Sequence, residues 1–394
     1  MKKRLAALLA ACLLLTPALA DSLEVNDVFD PEAAAVLAPE EVETVAGAPA
    51  ISAPSAILLE KSTGQVLYEL DSHKQYEPAS VTKVMTLLLV FEALDAGTLT
   101  LEQPVTASTH AISMGGSQIW LKENEQLTVE DMLKAVCVVS ANDCSVALAE
   151  HLAGSAEAFV ERMNQRAKEL GMADTHFVNP NGLDGAEHYS SAWDMALLAR
   201  ACLANETLAK IAATRSVTFG TRTFTNHNKL LWRYEGCVGL KTGYTEKAGR
   251  TLVSAARRDG MTLICVTLNA PGDWADHTAL FDWGFARYEA RTLSETGETV
   301  GNLPVSGGLV PVCPVEAGAD LTAALAPGET VETVCKLTET VLAAPVSRGT
   351  PVGEIIYYVN HKELARAPLV AGRSVSDCSA PKGGGWLWRS VFKN

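Results

Sequence analysis

Three short stretches carry residue types that can break an acyl bond: Ser80-Val-Thr-Lys83, Ser140-Ala-Asn142 and Lys241-Thr242-Gly243, in that order along 394 residues. A lysine one helical turn after a serine can take its proton, because positions i and i+3 share a helix face. It does so only when its pKa falls, which burial and a second cation such as Lys241 both bring about. Ser80 stands at the expected start of an apolar helix, where free N–H groups and the helix dipole favour an oxyanion. Ser140 and Asn142, at an expected helix junction, can complete a hydrogen-bond circuit that relays protons and holds a substrate amide. Lys241 and Thr242 can bind a carboxylate, and Gly243 lets a substrate backbone approach. The Tyr244 N–H is placed to be the second oxyanion donor, opposite that of Ser80. Taken singly, Ser80 reads as a helix cap, Lys83 and Lys241 as solvated charges and Asn142 as a turn residue. Chance alone would supply an SxxK or a KTG about as often as not in a chain of this composition. Three in order, each at an expected element boundary, is a strong signal.

Those residues need a scaffold, and the pattern around them describes one. Residues 55–70 are two apolar runs about Lys-Ser-Thr-Gly, which read as a β-hairpin. Residues 80–97 form a helix apolar nearly all round, as expected of one buried at the centre of a domain, with Gly97 as its stop. Two helices meet near Ser140 and Asn142, another runs over 155–170, and a long loop leads into a helix from about Ser191. The Lys241-Thr242-Gly243 stretch is expected to open a strand. A further hairpin turns at Arg258-Asp259-Gly260, and a helix closes the unit near 290. Strands that open and close a unit filled with helices give an α+β arrangement in which both ends feed one antiparallel sheet. From 291 to 378 short strands broken by Gly and Pro read as a small all-β domain. His188 and Asp194, in the loop-to-helix region, are expected to be structural, and Trp120 and Trp193 to be packing residues.

The termini and composition bound the setting. Residues 1–20 combine Lys2, Lys3 and Arg4 with a short apolar run and small residues at 18 and 20, a secretory signal peptide. Residues 21–50 read as a flexible Ala-, Pro- and Glu-rich linker. Residues 379–394, with Trp386, Leu387, Trp388, Val391 and Phe392 after a Gly hinge, read either as a frayed terminus or as a short anchor to a membrane surface. The net charge is −14, and the leader carries three cations and no acid, so the secreted part is more acidic still. That argues against a nucleic-acid partner. Eight cysteines beyond the leader lie far apart with no CxxC, as expected of buried thiols, with a few disulfides left open. No HExxH, GxSxG or phosphate loop is written, and no metal or cofactor is expected.

The three motifs together, with "EPASVTKVMT", "GGSQIWL", "VVSANDCSVALAEHLAGS", "NPNGLDGAEHYSSAWDMALLARA" and "GLKTGYTEKAGRTL", resemble the low-molecular-weight penicillin-binding proteins that are serine-type D-alanyl-D-alanine carboxypeptidases. The resemblance is strong over 55–290 and looser beyond. It implies a penicillin-binding-protein-like catalytic domain over 51–290, a β-rich domain over 291–378 and an amphipathic tail over 379–394. It implies removal of the terminal D-alanine from peptidoglycan stem pentapeptides, at the outer face of the cell envelope, through an acyl-enzyme that β-lactams also form. Carried over residue by residue, Ser80 is the nucleophile, Lys83 its base, Ser140 and Asn142 the second motif, and Lys241, Thr242 and Gly243 the third. Some relatives have an arginine before the stretch matching "NKLLW" that helps hold the substrate carboxylate; here that position is His227, a departure.

Other functions are open to the same fold. A D,D-endopeptidase or transpeptidase shares the chemistry and differs in acyl acceptor. A β-lactamase needs a water-activating Glu in an ExxLN stretch, and 143–240 has none. A non-catalytic penicillin-binding protein should have lost Ser80 or Lys83, and both are present.

Overall fold

The computed structural model describes residues 47–378. The expected leader, most of the linker and the tail at 379–394 lie outside the described residues. Strands β1 (Ser55–Glu60) and β2 (Val66–Leu70) form the expected hairpin. A 3-10 turn (Ala79–Thr82) runs into α1 (Lys83–Asp95). A short pair, β3 (Pro104–Thr106) and β4 (Gln126–Thr128), brackets α2 (Thr109–Ile112). Five helices follow: α3 (Val129–Val139), α4 (Asn142–Ala153), α5 (Ala156–Glu169), α6 (Ala192–Leu203) and α7 (Glu206–Ala212). The hairpin β5 (Ser216–Phe219) and β6 (Arg222–Thr225) and the short α8 (Leu230–Arg233) lead back to the sheet. Strands β7 (Cys237–Thr245), β8 (Gly249–Arg258) and β9 (Met261–Leu268) and helix α9 (Asp273–Arg287) complete the domain.

The long strands join in the order β2-β1-β9-β8-β7, all antiparallel, so the opening and closing strands of the domain are neighbours as expected. Side chains alternate across a strand, and here both faces are covered. Ile57, Leu59, Val253, Ala255, Ile264 and Val266 pack into the helical layer, while Leu58, Leu252, Leu263 and Cys265 pack against Leu280 and Phe281 of α9. Burial on both faces explains why these strands read as nearly continuous apolar runs. Helix α1 is the pillar of the helical layer, with Lys83 and Thr86 among its buried residues.

Side-chain caps set the ends of several helices. Thr128 accepts from the N–H of Asp131, Ser155 from Ala158 and Ser191 from Asp194. Each such cap contributes about 1 kcal/mol.

The chain continues as an all-β domain: β10 (Glu289–Ser294), β11 (Thr299–Ser306), β12 (Val312–Ala317), β13 (Leu321–Leu325), β14 (Val331–Leu337), β15 (Leu342–Ala343), β16 (Pro351–Val359) and β17 (Lys362–Ala371). Six of these form a sheet in the order β14-β16-β17-β12-β11-β15, and β10 pairs with β13. Leu303, Val305, Val315, Ile355 and Leu369 are among the buried side chains of its own core. Ala324 joins the catalytic domain's α9-side cluster, and the Thr322 N–H donates to Ser62 Oγ at 3.0 Å.

Three expectations need correction. The α-helix begins at Lys83, and Ser80 lies in the 3-10 turn just before it. Lys241-Thr242-Gly243 does not open a strand: β7 starts four residues earlier, so the motif sits well inside it. Trp120 is not packed away but is 67% exposed, its ring stacked on Phe224 at 6.4 Å. Trp193 does pack, against the helical core and stacked on His73. All eight cysteines of the described residues are free thiols, five of them buried.

Candidate active site

Ser80 enters the cleft from a turn held under tension. Ala79, just before it, has φ +51°, a conformation a residue with a Cβ adopts only at a cost. One turn later the ammonium nitrogen of Lys83 lies 2.9 Å from Ser80 Oγ and also donates to the carbonyl of Asn181. Lys83 is completely buried. Burial, and after it the charge of Lys241, hold its pKa well below the ordinary lysine range, while the Asp143 carboxylate pulls the other way.

The Asn179–Gly182 segment acts as a carbonyl clamp beneath this pair. Pro180 O accepts from Thr86 Oγ1 at 2.6 Å and from Ser145 Oγ at 2.7 Å, tying the loop to α1 and α4. His188 steadies the same region. It is held neutral, its pKa lowered to about 4 chiefly by burial. Its Nδ1 accepts from the Val178 N–H at 3.0 Å, so Nε2–H is left to donate to Thr82 Oγ1 at 2.9 Å. Asp194 accepts from the Asp174 N–H and Thr175 Oγ1, a fold contact.

Gly182 (φ +81°) is the tightest point of the clamp. A Cβ there would stand 2.0 Å from Ala79 O and 3.0 Å from Ser80 Cα. Gly182→Ala is therefore expected to cost about 1–3 kcal/mol of stability, the range for strained or overpacked positions. Because the turn that carries Ser80 must move, acylation should slow as well. Thermal unfolding and penicillin labelling rates check the two halves separately.

Ser140 follows α3 with φ +62°, and Asn142 opens α4. Asn142 holds the neighbouring loop at two points: its N–H donates to Ser117 O and its Nδ2 to Gly115 O, both at 2.7 Å. Ser140 Oγ and Asn142 Oδ1 are buried and have no partner among the described residues. The expected circuit is thus not closed within the protein. Buried polar atoms are seldom left unpaired. Asp143, also buried, accepts from the N–H groups of Leu121 and Cys144 at 3.1 and 2.9 Å and so locks the loop to α4.

On β7, Lys241 is buried, with burial lowering its pKa to about 7, and its Nζ donates to Thr242 O at 2.7 Å. Gly243 packs directly on the Ser80 turn, where a Cβ would lie 2.9 Å from the Ser80 nitrogen and 2.3 Å from Thr251 Oγ1. Tyr244 exposes its ring at the rim. One cavity of about 520 Å³ brings together Ser80, Ser140, His227, Thr242, Gly243 and Tyr244. Lys83, Asn142 and Lys241 stand around it through the contacts above. His227 stands at the rim, its pKa lowered by desolvation and then by Lys241.

Sequence reasoning left out Ser117, Arg250, Asp273 and Trp274, which also line the cavity. Nor did it name the carbonyl of Asn181, which no side-chain pattern announces. Among the described residues no group of three or more metal-ligating side chains is gathered.

Residues 42–272 match the family model described as D-alanyl-D-alanine carboxypeptidase, and 288–377 match the penicillin-binding protein 5 C-terminal domain. The D-alanyl-D-alanine carboxypeptidase DacF of Bacillus subtilis is 38% identical over 329 residues, covering 81% of this chain and 85% of the relative. DacC of Escherichia coli is 34% identical over 85% of this chain and 87% of its own length. Among solved structures, penicillin binding protein 5 from Haemophilus influenzae aligns with a TM-score of 0.72 at 32% identity, over 84% of this chain and 99% of that one. Penicillin-binding protein D2 from Listeria monocytogenes, in its ampicillin-bound form, aligns at 0.55 with 29% identity over 60% and 98%. The chain belongs to the D-alanyl-D-alanine carboxypeptidase family, peptidase S11, and carries that family's penicillin-binding protein 5 type of C-terminal domain.

Proposed function

We propose that Ser80 is the nucleophile and Lys83 its general base in the removal of the terminal D-alanine from peptidoglycan stem pentapeptides. The observation that carries the reading is the 2.9 Å contact between Lys83 Nζ and Ser80 Oγ, with the amine fully buried and its pKa depressed. A neutral Lys83 takes the hydroxyl proton as Ser80 Oγ attacks the carbonyl of the penultimate D-alanine. The N–H groups of Ser80 and Tyr244 receive the developing oxyanion. Collapse breaks the peptide bond, and a proton passes through Ser140 to the leaving amine, giving free D-alanine and an ester on Ser80. Water, deprotonated by Lys83, then releases the shortened peptide. Asn142 holds the substrate amide, and Lys241, Thr242 and the residue at 227 face its carboxylate.

Penicillins would acylate the same oxygen, as the ampicillin-bound Listeria relative makes chemically reasonable. The same reading places the enzyme outside the cytoplasm at the cell-envelope face, with the catalytic domain over 51–290, the β-rich domain over 291–378 and the tail at 379–394 touching a membrane surface. No helix among the described residues is long and apolar enough to cross a membrane.

The test is mass spectrometry of the mature protein after penicillin, with peptide mapping, alongside D-alanine release from a pentapeptide. We expect one adduct, on the peptide containing Ser80, none in Ser80→Ala, and one D-alanine per peptide. Label persisting in Ser80→Ala would overturn the nucleophile. Labelling without D-alanine release would point to another acyl acceptor, as in a transpeptidase.

A further inference from the structure

We infer that Arg250 is the residue that supplies the positive charge for the substrate's C-terminal carboxylate. The inference rests on the carboxypeptidase reading above and adds a specificity-determining residue to it. The reaction selects a free acid at the chain end, and a neutral imidazole gives that acid one hydrogen bond and no charge. His227 stands exposed at the rim, and desolvation and then the nearby Lys241 disfavour its protonated form. Lys241 itself is buried and spends a hydrogen bond on the carbonyl of Thr242. The cationic side chains left in the cavity wall are Lys229 and Arg250.

Strand register favours Arg250. It lies directly opposite Tyr244 across β7 and β8, so it shares a face with Tyr244 and Thr242. Thr242 is its diagonal neighbour, about 7–8 Å away by Cα, a gap an arginine side chain spans. Thr242 and Arg250 line the same cavity.

The guanidinium is also held in place. Its Nε and Nη2 each donate to Asp273 at 2.9 Å, and it lies over the Trp274 ring at 5.4 Å. The Asp273 carboxylate is buried while the Arg250 side chain is 39% exposed, so the acid sits behind the guanidinium and the cation faces outward. Nη1 has no protein acceptor among the described residues. An arginine fixed along one edge keeps its remaining N–H groups oriented, which lowers the entropy lost when an anion binds. Lys229 is exposed on a flexible stem and offers no such preorganisation.

The test compares a D-Ala-D-Ala peptide bearing a free C-terminal acid with the same peptide as its C-terminal amide. Removing Arg250 alone would strand the buried Asp273, so the variant is Arg250→Gln with Asp273→Asn. We expect kcat/KM on the acid to fall roughly 10- to 100-fold, mainly through KM, with a much smaller fall on the amide, because the lost interaction is with the carboxylate alone. His227→Arg placed in that background should recover most of the acid preference. Equal losses on acid and amide would make the pair structural and overturn the inference. So would a larger loss of acid preference in Lys229→Gln. If the parent protein releases no D-alanine at all, the carboxypeptidase reading fails first, and that outcome is distinct from both.

Discussion

Lys83→Met is expected to slow acylation of Ser80 by roughly 10³-fold, within the 10²–10⁴ range that a positioned general base contributes, while the protein still folds. The hydroxyl of an isolated serine is a poor nucleophile at neutral pH, and activation depends on an adjacent base. On the proposed mechanism the base is an amine that must be neutral when substrate arrives. Burial on α1, and after it the charge of Lys241, push the pKa of Lys83 in that direction. Methionine has similar volume and fills the same apolar channel, so the core should survive. What is lost is the 2.9 Å contact to Ser80 Oγ and the donor to Asn181 O. The orphaned carbonyl costs about 1–3 kcal/mol, offset by removing an amine that was costly to bury. The rate constant for penicillin acylation, followed by intact mass, checks the first half, and a single cooperative melt checks the second. A variant that acylates within tenfold of the parent would transfer the base role elsewhere.

How much of this could be read beforehand differs by the kind of contact. Helix α1, the α3–α4 junction, the hairpins at 55–70 and about 258–260 and the helix starting near Ser191 were legible because local periodicity and turn chemistry decide them. The pairing of Ser80 with Lys83 was legible for the same reason: two residues three positions apart across a helical turn share a face. The start of β7 was not, because Gly239 interrupts the short apolar stretch Cys237–Leu240, although Gly236 (φ +83°) stands directly before the strand. Trp120 was misplaced because an aromatic residue is a prior for burial, whereas its exposure comes from a loop that Arg222 and Asp143 hold from outside the local sequence. The clamp at Pro180 and Asn181 works through backbone carbonyls, and Arg250 reaches the cleft through cross-strand register. Both are tertiary facts with no local signature. The departure at His227 was visible as a change of residue type, but the lowering of its pKa comes from desolvation in the folded cleft and then from Lys241, more than a dozen positions away.

Lys241→Met is expected to do two things that pull apart: move the acid limb of the acylation rate to higher pH, and make the protein more stable. Acylation needs Lys83 neutral, so the rate rises with pH through the lowered pKa of that lysine. Part of the lowering comes from the positive charge of Lys241. Remove it, and the Lys83 pKa moves back toward the ordinary lysine range, so at a given pH a smaller fraction is neutral. The difference should be largest below about pH 7, where Lys241 in the parent carries its proton. The stability effect has the opposite benefit. Lys241 titrates near 10.5 when exposed and at about 7 when folded, so from pH 10.5 downward the unfolded chain binds a proton that the folded one resists. Parent stability therefore falls as pH drops from about 10.5 to 7 and levels off below. At 1.36 kcal/mol per pH unit, the cost approaches roughly 5 kcal/mol as an upper bound. Methionine abolishes that cost and gives back about 1–3 kcal/mol for the Thr242 carbonyl it leaves without a donor. Melting temperatures of parent and variant at pH 6, 8 and 10 should converge as the pH rises, with the variant higher at pH 6. Parallel curves across that range would mean Lys241 titrates as an ordinary lysine, and its influence on Lys83 would have to be argued anew.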